Sequence, residues 1–326
     1  MRADADTMPY RMWSRQFLSA YITTMRPYLL FVSGITGIVG LSFIPELTET
    51  KALLVFAASF LSYGFGQALT DCFQVDTDSF SAPYRPLTRG AVSKRQVLSV
   101  SLLGLGCCTV VFTMYNSLNL ILGFVAGIGL ATYTPFKRTW WGGPFYNAWI
   151  VVVLCVMAFM TGTERLSSVF AAPFVLALVT VFFGYANFVL TGYFKDIDAD
   201  RKTGYRTLPV VFGRKLSAVV SDAFMLTQVT ALILLMNGYF SSTIGSIVGA
   251  IFAVSGVAAV LLAQVRLHKV TADDTAHSAI TPVVHGYVLI LSSIVCHSKP
   301  EWSLYLIVFY AGFVLVMRTR PARNQI

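Results

Sequence analysis

Charge is what this sequence has least of. Only 12% of its 326 residues are Asp, Glu, Lys or Arg, about half the share a soluble domain carries. That argues against a soluble globular fold. Cysteine is sparse too. Cys72, Cys107, Cys108, Cys155 and Cys296 show no C-x-x-C or metal-type spacing, which excludes a zinc or dithiol motif and leaves small core residues. His268, His277, His285 and His297 are equally scattered and carry no ligand pattern. The first 25 residues lack a long apolar core and a small-residue cleavage site, so no signal peptide is expected. They read as a basic, partly amphipathic lead-in on a membrane surface. The net charge of +9 comes without a basic stripe of interleaved aromatics, and no nucleic-acid partner is expected.

Apolar sequence is what the chain has in excess, at 56% of its residues. Ten runs, at roughly 27–44, 51–70, 96–115, 117–135, 144–162, 168–194, 216–237, 243–265, 279–296 and 302–317, approach or exceed the ~20 residues that cross a bilayer as a helix. Their connections are short, which favours antiparallel neighbours. Glycine-rich stretches such as GITGIVG (34–40) and GFVAGIGLA (123–131) permit close helix approach in lipid. The expected fold is all-α: a polytopic transmembrane bundle of nine to ten helices, one domain over 1–326, with 302–317 a candidate extra C-terminal helix.

Loop charge gives the orientation. If the N-terminus with Arg11, Arg15 and Arg26 is cytoplasmic, every second loop should be basic. Those loops carry Arg85, Arg89, Lys94 and Arg95, then Lys137 and Arg138, then Lys195, Arg201, Lys202 and Arg206. Arg266 and Lys269 follow, and finally Arg318, Arg320 and Arg323. The opposite loops (PELTETK, YNSLN, TGTERLS, NGYFSST, CHSKPEW) hold at most one basic residue each. An integral multi-pass protein with both termini cytoplasmic is expected.

Six of the 15 acidic residues fall in two clusters, Asp71, Asp76, Asp78 and Asp196, Asp198, Asp200. Both follow an apolar run at the expected cytoplasmic face. Each continues to a Tyr-Arg pair, Tyr84-Arg85 and Tyr205-Arg206, so they read as a weak internal repeat facing itself across the bundle. Facing carboxylates repel unless cations lie between them. Mg2+ takes one or two carboxylates together with phosphate oxygens and water. Asp196 and Asp200 share a helix face at i,i+4, and Arg85, Lys195 and Arg206 stand by to bind phosphate oxygen. A diphosphate ligand fits this pattern; a solvated loop that sets topology is the plainer alternative. Between the clusters, Lys137 and Arg138 reach the same face, and Asn147 either meets the ligand or bridges helices. Asp222 lies near the cytoplasmic end of its run, facing the interior or pairing with a neighbouring helix. VTADDTAHS (270–278) adds Asp273 and Asp274 to the same face, as a solvated loop or part of a lid.

These residues resemble the UbiA superfamily of intramembrane prenyltransferases. KDIDADRKTGYRTLPVVFG (195–213) is similar to its second aspartate-rich motif. DSFSAPYRPLTRG (78–90) resembles the tail of the first, YTPFKR (133–138) a Y-[ST]-P-[PF] stretch, and MRPYLLF (25–31) the opening R-P. The first motif departs from N-D-x-x-D-x-x-x-D. Counted back from Asp78 without gaps, Asp71 matches the early aspartate, Thr70 the asparagine and Gln74 the middle aspartate. Anchored on the helix instead, Gln67 matches the asparagine and Asp71 the middle aspartate. Asp76 fits neither register and is a candidate substitute ligand.

The resemblance implies a central cavity capped by cytoplasmic aspartate loops. Mg2+ would be held there by Asp71, Asp76, Asp78, Asp196 and Asp200, and an isoprenyl diphosphate would be bound with help from Arg85, Lys137, Lys195 and Arg206. The catalytic set is Asp71, Asp78, Asp196 and Asp200. Tyr63, Phe65, Tyr133, Tyr146, Tyr185 and Phe188 are candidates to face an allylic cation, and Asp198 or Asp76 to orient the acceptor. The implied reaction is prenyl transfer to a hydrophobic, aromatic or lipid acceptor. A terpene cyclase on the same scaffold is the alternative. A transporter is a third reading, disfavoured because the acids gather at one membrane face.

Overall fold

The structure, a computed structural model, describes residues 8–239 and 244–318. Arg320, Arg323 and part of the NGYFSST loop lie outside the described residues. Among the described residues the chain is helical, without strands: α1 (Arg15–Met25), α2 (Leu30–Ser42), α3 (Glu49–Asp71), α4 (Val75–Ser81), α5 (Lys94–Thr113), α6 (Leu118–Lys137) and α7 (Gly143–Met160) come first. They are followed by α8 (Ala172–Tyr193), α9 (Ile197–Lys202), α10 (Leu208–Tyr239), α11 (Ile244–Leu267), α12 (His277–Ser298) and α13 (Ser303–Arg318). Among the described residues, nine helices are long and apolar enough to cross a membrane, or ten if α1 and α2, bent by 45° at their junction, form one span. Each of the ten expected apolar runs falls on one of these elements.

The starts of the helices follow from local chemistry. Ser14, Thr48 and Ser93 accept hydrogen bonds from the backbone N–H groups of Phe17, Lys51 and Gln96, satisfying donors that have no intrahelical partner. Pro144 and Pro173 sit in the first turns of α7 and α8, where a missing N–H loses nothing. The bend between α1 and α2 comes from Arg26-Pro27. A residue before proline is pushed out of the right-handed helical region, and Arg26 adopts φ 54°, ψ 72°. In α10, Gly213 at φ 76° breaks the helix, a conformation glycine takes without a Cβ clash.

Burial separates the centre from the rim. In the span containing α12, 89% of the apolar window is buried, against 17% in the span containing α13. α12 therefore forms the axis of one half of the bundle, packed against α2, α8 and α11. Its close approach to α11 depends on glycine. A Cβ at Gly256 would lie 2.9 Å from the backbone nitrogen of Ile290, and one at Gly286 3.0 Å from the Gly256 carbonyl oxygen. Large side chains such as Leu103, Phe124, Ile128, Ile251, Val254 and Val308 point outward, as a lipid-facing surface requires. α1 lies against α3. Phe17, Tyr21 and Met25 are buried in a small satellite core, while Leu18 and Ile22 remain exposed.

Candidate active site

The first aspartate cluster is built where the apolar run of α3 ends. Both oxygens of Asp71 accept from Nη2 of Arg26, at 2.9 and 2.8 Å, and Oδ1 also accepts from Nε2 of Gln67 at 2.7 Å. The bend at Arg26-Pro27 thus aims a guanidinium at the end of α3. A non-glycine residue in the left-handed region is strained by roughly 1–3 kcal/mol, and the ion pair offsets that. Gln74 stands at the N-cap of α4 and accepts from Nζ of Lys137 at 2.7 Å. Lys137 also lies over the rings of Tyr193 and Tyr205, 5.6 and 5.4 Å from their centroids. One turn along α4, Asp78 pairs with Arg85.

The second cluster follows α8. Asp196 is the N-cap of α9, and Asp200 lies one turn on, its N–H donating to the Asp196 carbonyl at 2.7 Å. Asp200 is fully buried. Its Oδ2 accepts from the Thr207 hydroxyl at 3.1 Å, while Oδ1 is without a partner. The two short helices α4 and α9 touch, and the hydroxyls of Thr77 and Thr203 meet at 3.0 Å.

Between the clusters opens a polar pocket lined by Asp71, Gln74, Asp78 and Asp196 and by Arg26, Arg85, Lys137 and Lys195. Below it an apolar cavity runs between α3, α5, α6 and α7. Tyr63, Gln67, Thr70, Asn147 and Tyr185 line both, forming a throat where polar meets apolar. A molecule with a charged head and a hydrocarbon tail matches that division.

Burial and mutual charge tune the ionisable groups outside the spans. Burial pushes Lys195 down to about 8, although Asp196 beside it works the other way. Burial pushes Asp200 up to about 7, against the pull of Lys137. Asp78 is also raised, by burial outweighing Arg85. Asp196 is lowered: burial opposes its charge, but Lys195, Lys137 and Arg85 together prevail. Burial opposes the charge of Arg85 as well, and Asp78, Asp71 and Asp196 more than restore it.

Of the residues expected from sequence, Asp71, Asp78, Asp196, Gln67, Arg85, Lys137, Lys195 and Asn147 share the polar pocket, with Asp200 packed behind it. Three lie elsewhere. Asp76 has 43% of its side chain exposed and pairs with Arg138 at 2.7 Å, also accepting from the Tyr205 hydroxyl at 3.3 Å. Asp198 is 67% exposed and pairs with Arg201. Residues two apart on a helix point about 200° apart, so Asp78 and Asp200 turn inward while Asp76 and Asp198 turn out. Arg206 is exposed, and its N–H donates to the Arg138 carbonyl. The Tyr-Arg repeat therefore holds in sequence, but its two arginines occupy different surroundings. Arg26 and Gln74 were not singled out for the site. For Arg26 the sequence signal is the R-P pair; for Gln74 it is the ungapped register, the one in which it shares a pocket with Asp71 and Asp78.

The sequence pattern of the UbiA prenyltransferase family matches residues 30–285. This chain belongs to that family. It is an integral, multi-pass membrane protein and an enzyme of the prenyltransferase class. It is 32% identical over 223 residues to the digeranylgeranylglyceryl phosphate synthase of Thermococcus kodakarensis, covering 65% of this chain and 76% of that one. The synthase of the same name from Natronomonas pharaonis is 30% identical over 210 residues, covering 64% and 74%. Among solved structures, a UbiA homolog from Aeropyrum pernix superposes with a TM-score of 0.67 at 20% identity, over 89% of this chain and 98% of that one. A homolog from Archaeoglobus fulgidus, bound to DMAPP and Mg2+, superposes with a TM-score of 0.59 at 15% identity, over 92% and 99%. At such identities the superpositions speak for the fold.

The donor set of this UbiA-family chain suits Mg2+. Its pocket offers carboxylate and amide oxygens rather than nitrogen or sulfur ligands, as a hard cation prefers. The buried, unpartnered Oδ1 of Asp200 needs a counterpart, since a buried polar atom left unmatched costs about 1–3 kcal/mol. Among the described residues no three Asp, Glu, His or Cys side chains converge closely enough to hold an ion alone. Oxygens from the ligand and water are expected to complete such a shell.

Proposed function

We propose that this chain is a Mg2+-dependent prenyltransferase that moves the prenyl group of an isoprenyl diphosphate onto a hydroxyl oxygen of a glycerophosphate-type lipid. The observation that carries the reading is the throat: a pocket of four cations and three carboxylates opens directly into an apolar cavity. The acceptor class rests on relatives named for digeranylgeranylglyceryl phosphate, a glyceryl phosphate bearing prenyl chains. Those names favour the lipid over the aromatic among the expected acceptors.

Arg26, Arg85, Lys137 and Lys195 bind and orient the diphosphate oxygens. Asp71, Asp78, Asp196 and Asp200 are the residues that would hold Mg2+, with Asp71 and Asp78 also fixing the two arginines. When bound, the ion neutralises charge on the departing diphosphate. The allylic C–O bond breaks with its electron pair going to the diphosphate. The positive charge on carbon then lies at the level of Tyr63 and Tyr185, whose ring faces attract a cation. The acceptor hydroxyl oxygen forms the new C–O bond, and its proton goes to the released diphosphate. The apolar cavity below the throat takes the hydrocarbon tail and keeps water from the cation.

Replacing Asp196 by Ala is expected to lower Mg2+-dependent diphosphate release by about 100-fold or more, in the range for loss of one charge-stabilising group. Unchanged release would overturn the site. Incubation with a prenyl diphosphate and Mg2+ but no acceptor separates transferase from cyclase, because only a cyclase yields a hydrocarbon product.

A further inference from the structure

The second aspartate motif contains an N-cap that does not cap. Asp196 occupies the N-cap of α9, yet its carboxylate makes no hydrogen bond to that helix. An aspartate there ordinarily accepts from the N–H of the second or third helical residue, here Asp198 or Ala199. The Asp198 N–H is already taken. It donates at 2.8 Å to Oδ2 of Asp273, from the loop between α11 and α12. Oδ1 of Asp273 is held by Arg214 at 2.5 Å. Arg214 follows Gly213, the residue whose positive φ breaks α10. Three parts of the chain distant in sequence thus meet at the first turn of α9.

We infer that Asp273 is a positioning residue for the reaction. It caps α9 in trans, so that the Asp196 carboxylate faces the diphosphate pocket instead of turning back onto α9. The inference rests on the proposed role of Asp196 and deepens it. With Asp273 gone, Asp196, as the N-cap residue, is placed to satisfy the Asp198 N–H itself, and turning back to do so withdraws it from the ligand. The DD pair at 273–274, which sequence presents as a solvated loop or part of a lid, is on this account split in function, with Asp273 supporting the site. Asp273 is only 19% exposed in its side chain, against the expectation for a solvated loop.

A double-mutant cycle tests this, because residues acting through one another are not additive. The full-length protein in detergent or nanodiscs would be titrated, in the presence of Mg2+, with a non-reactive thiolo-diphosphate analogue of a prenyl donor. Binding is read by calorimetry, alongside kcat and KM. Asp273→Ala is expected to weaken analogue binding by about 10- to 100-fold, the usual effect of losing a group that orients a ligand residue. In an Asp196→Ala background the same change should alter affinity by less than about twofold. Asp273→Asn, which retains an oxygen to accept the Asp198 N–H, should recover most of the affinity.

Full additivity of the two substitutions would overturn the inference, as would an Asp273→Ala protein with wild-type affinity. If Asp273→Ala does not yield folded protein, Arg214→Met removes the anchor of Asp273 from a different helix. The same non-additivity with Asp196→Ala is then required. The two failures are distinct. Unchanged binding in Asp196→Ala alone sinks the proposed site, whereas weakened binding there with additive effects sinks only the role of Asp273.

Discussion

Four cations face the polar pocket, and each is held differently. Arg26 and Arg85 are locked to Asp71 and Asp78, and Lys137 is bonded to the Gln74 amide. Lys195 is the weak member, with burial pushing its pKa down to about 8. Its protonated fraction falls as pH rises through that value, and with it one charge available to the diphosphate. The free enzyme governs kcat/KM, so kcat/KM for the diphosphate should decline above about pH 8. Lys195→Arg, whose guanidinium stays charged, should keep the profile level there; a decline that persists in the variant would contradict this role. Single side chains are also what the sequence reveals least. Residue type and rough spacing marked Asp71, Asp78, Asp196, Asp200 and Lys195 as one group. Inward and outward positions on α4 and α9 depend on helical phase, which a cluster of three acids does not reveal. Hence Asp76 and Asp198 carried the same signal as their neighbours and yet point away. Arg26 needed the bend at Pro27, a tertiary feature, to reach Asp71.

Among the elements, the long apolar helices were readable because lipid permits few alternatives: each backbone polar group must be satisfied within its own span. The short helices α4 and α9 were not, being too brief and too acidic to show a period. The floor of the apolar cavity also belongs to this scale. At its deep end Phe112 of α5 and Met157 of α7 are both buried. Nδ2 of the fully buried Asn119 donates to both of their carbonyls, at 3.1 Å each, so the floor is tied across α5, α6 and α7. From Asn147 at the throat to Met157 the helix descends about 15 Å, at 1.5 Å per residue. If this floor limits tail length, Phe112→Ala should shift donor preference toward longer prenyl diphosphates in a competition series. An unaltered ranking would place the limit elsewhere. A second expectation concerns α11 and α12. Gly256→Leu drives a side chain into the α12 backbone near Ile290 and should destabilise the detergent-solubilised protein by about 1–3 kcal/mol, the range for overpacking. A thermal melt in the same detergent reads it.

For the molecule as a whole, the bundle brings together ends of chain that are far apart in sequence. α3–α4 and α8–α9 each deliver a span, a break and a short acidic helix to one end of the bundle, and α4 meets α9 there. Here the ionisable groups sit directly over an apolar cavity. On the proposed function, this arrangement ionises an isoprenyl diphosphate and passes the prenyl group to a lipid hydroxyl. The most direct test incubates the purified protein with a radiolabelled prenyl diphosphate and a prenylglyceryl phosphate, with and without Mg2+, and identifies the labelled product. A labelled ether lipid is expected, formed only when both acceptor and Mg2+ are present, with diphosphate released in equal amount. A labelled hydrocarbon formed without acceptor, or a product yield indifferent to Mg2+, would contradict it.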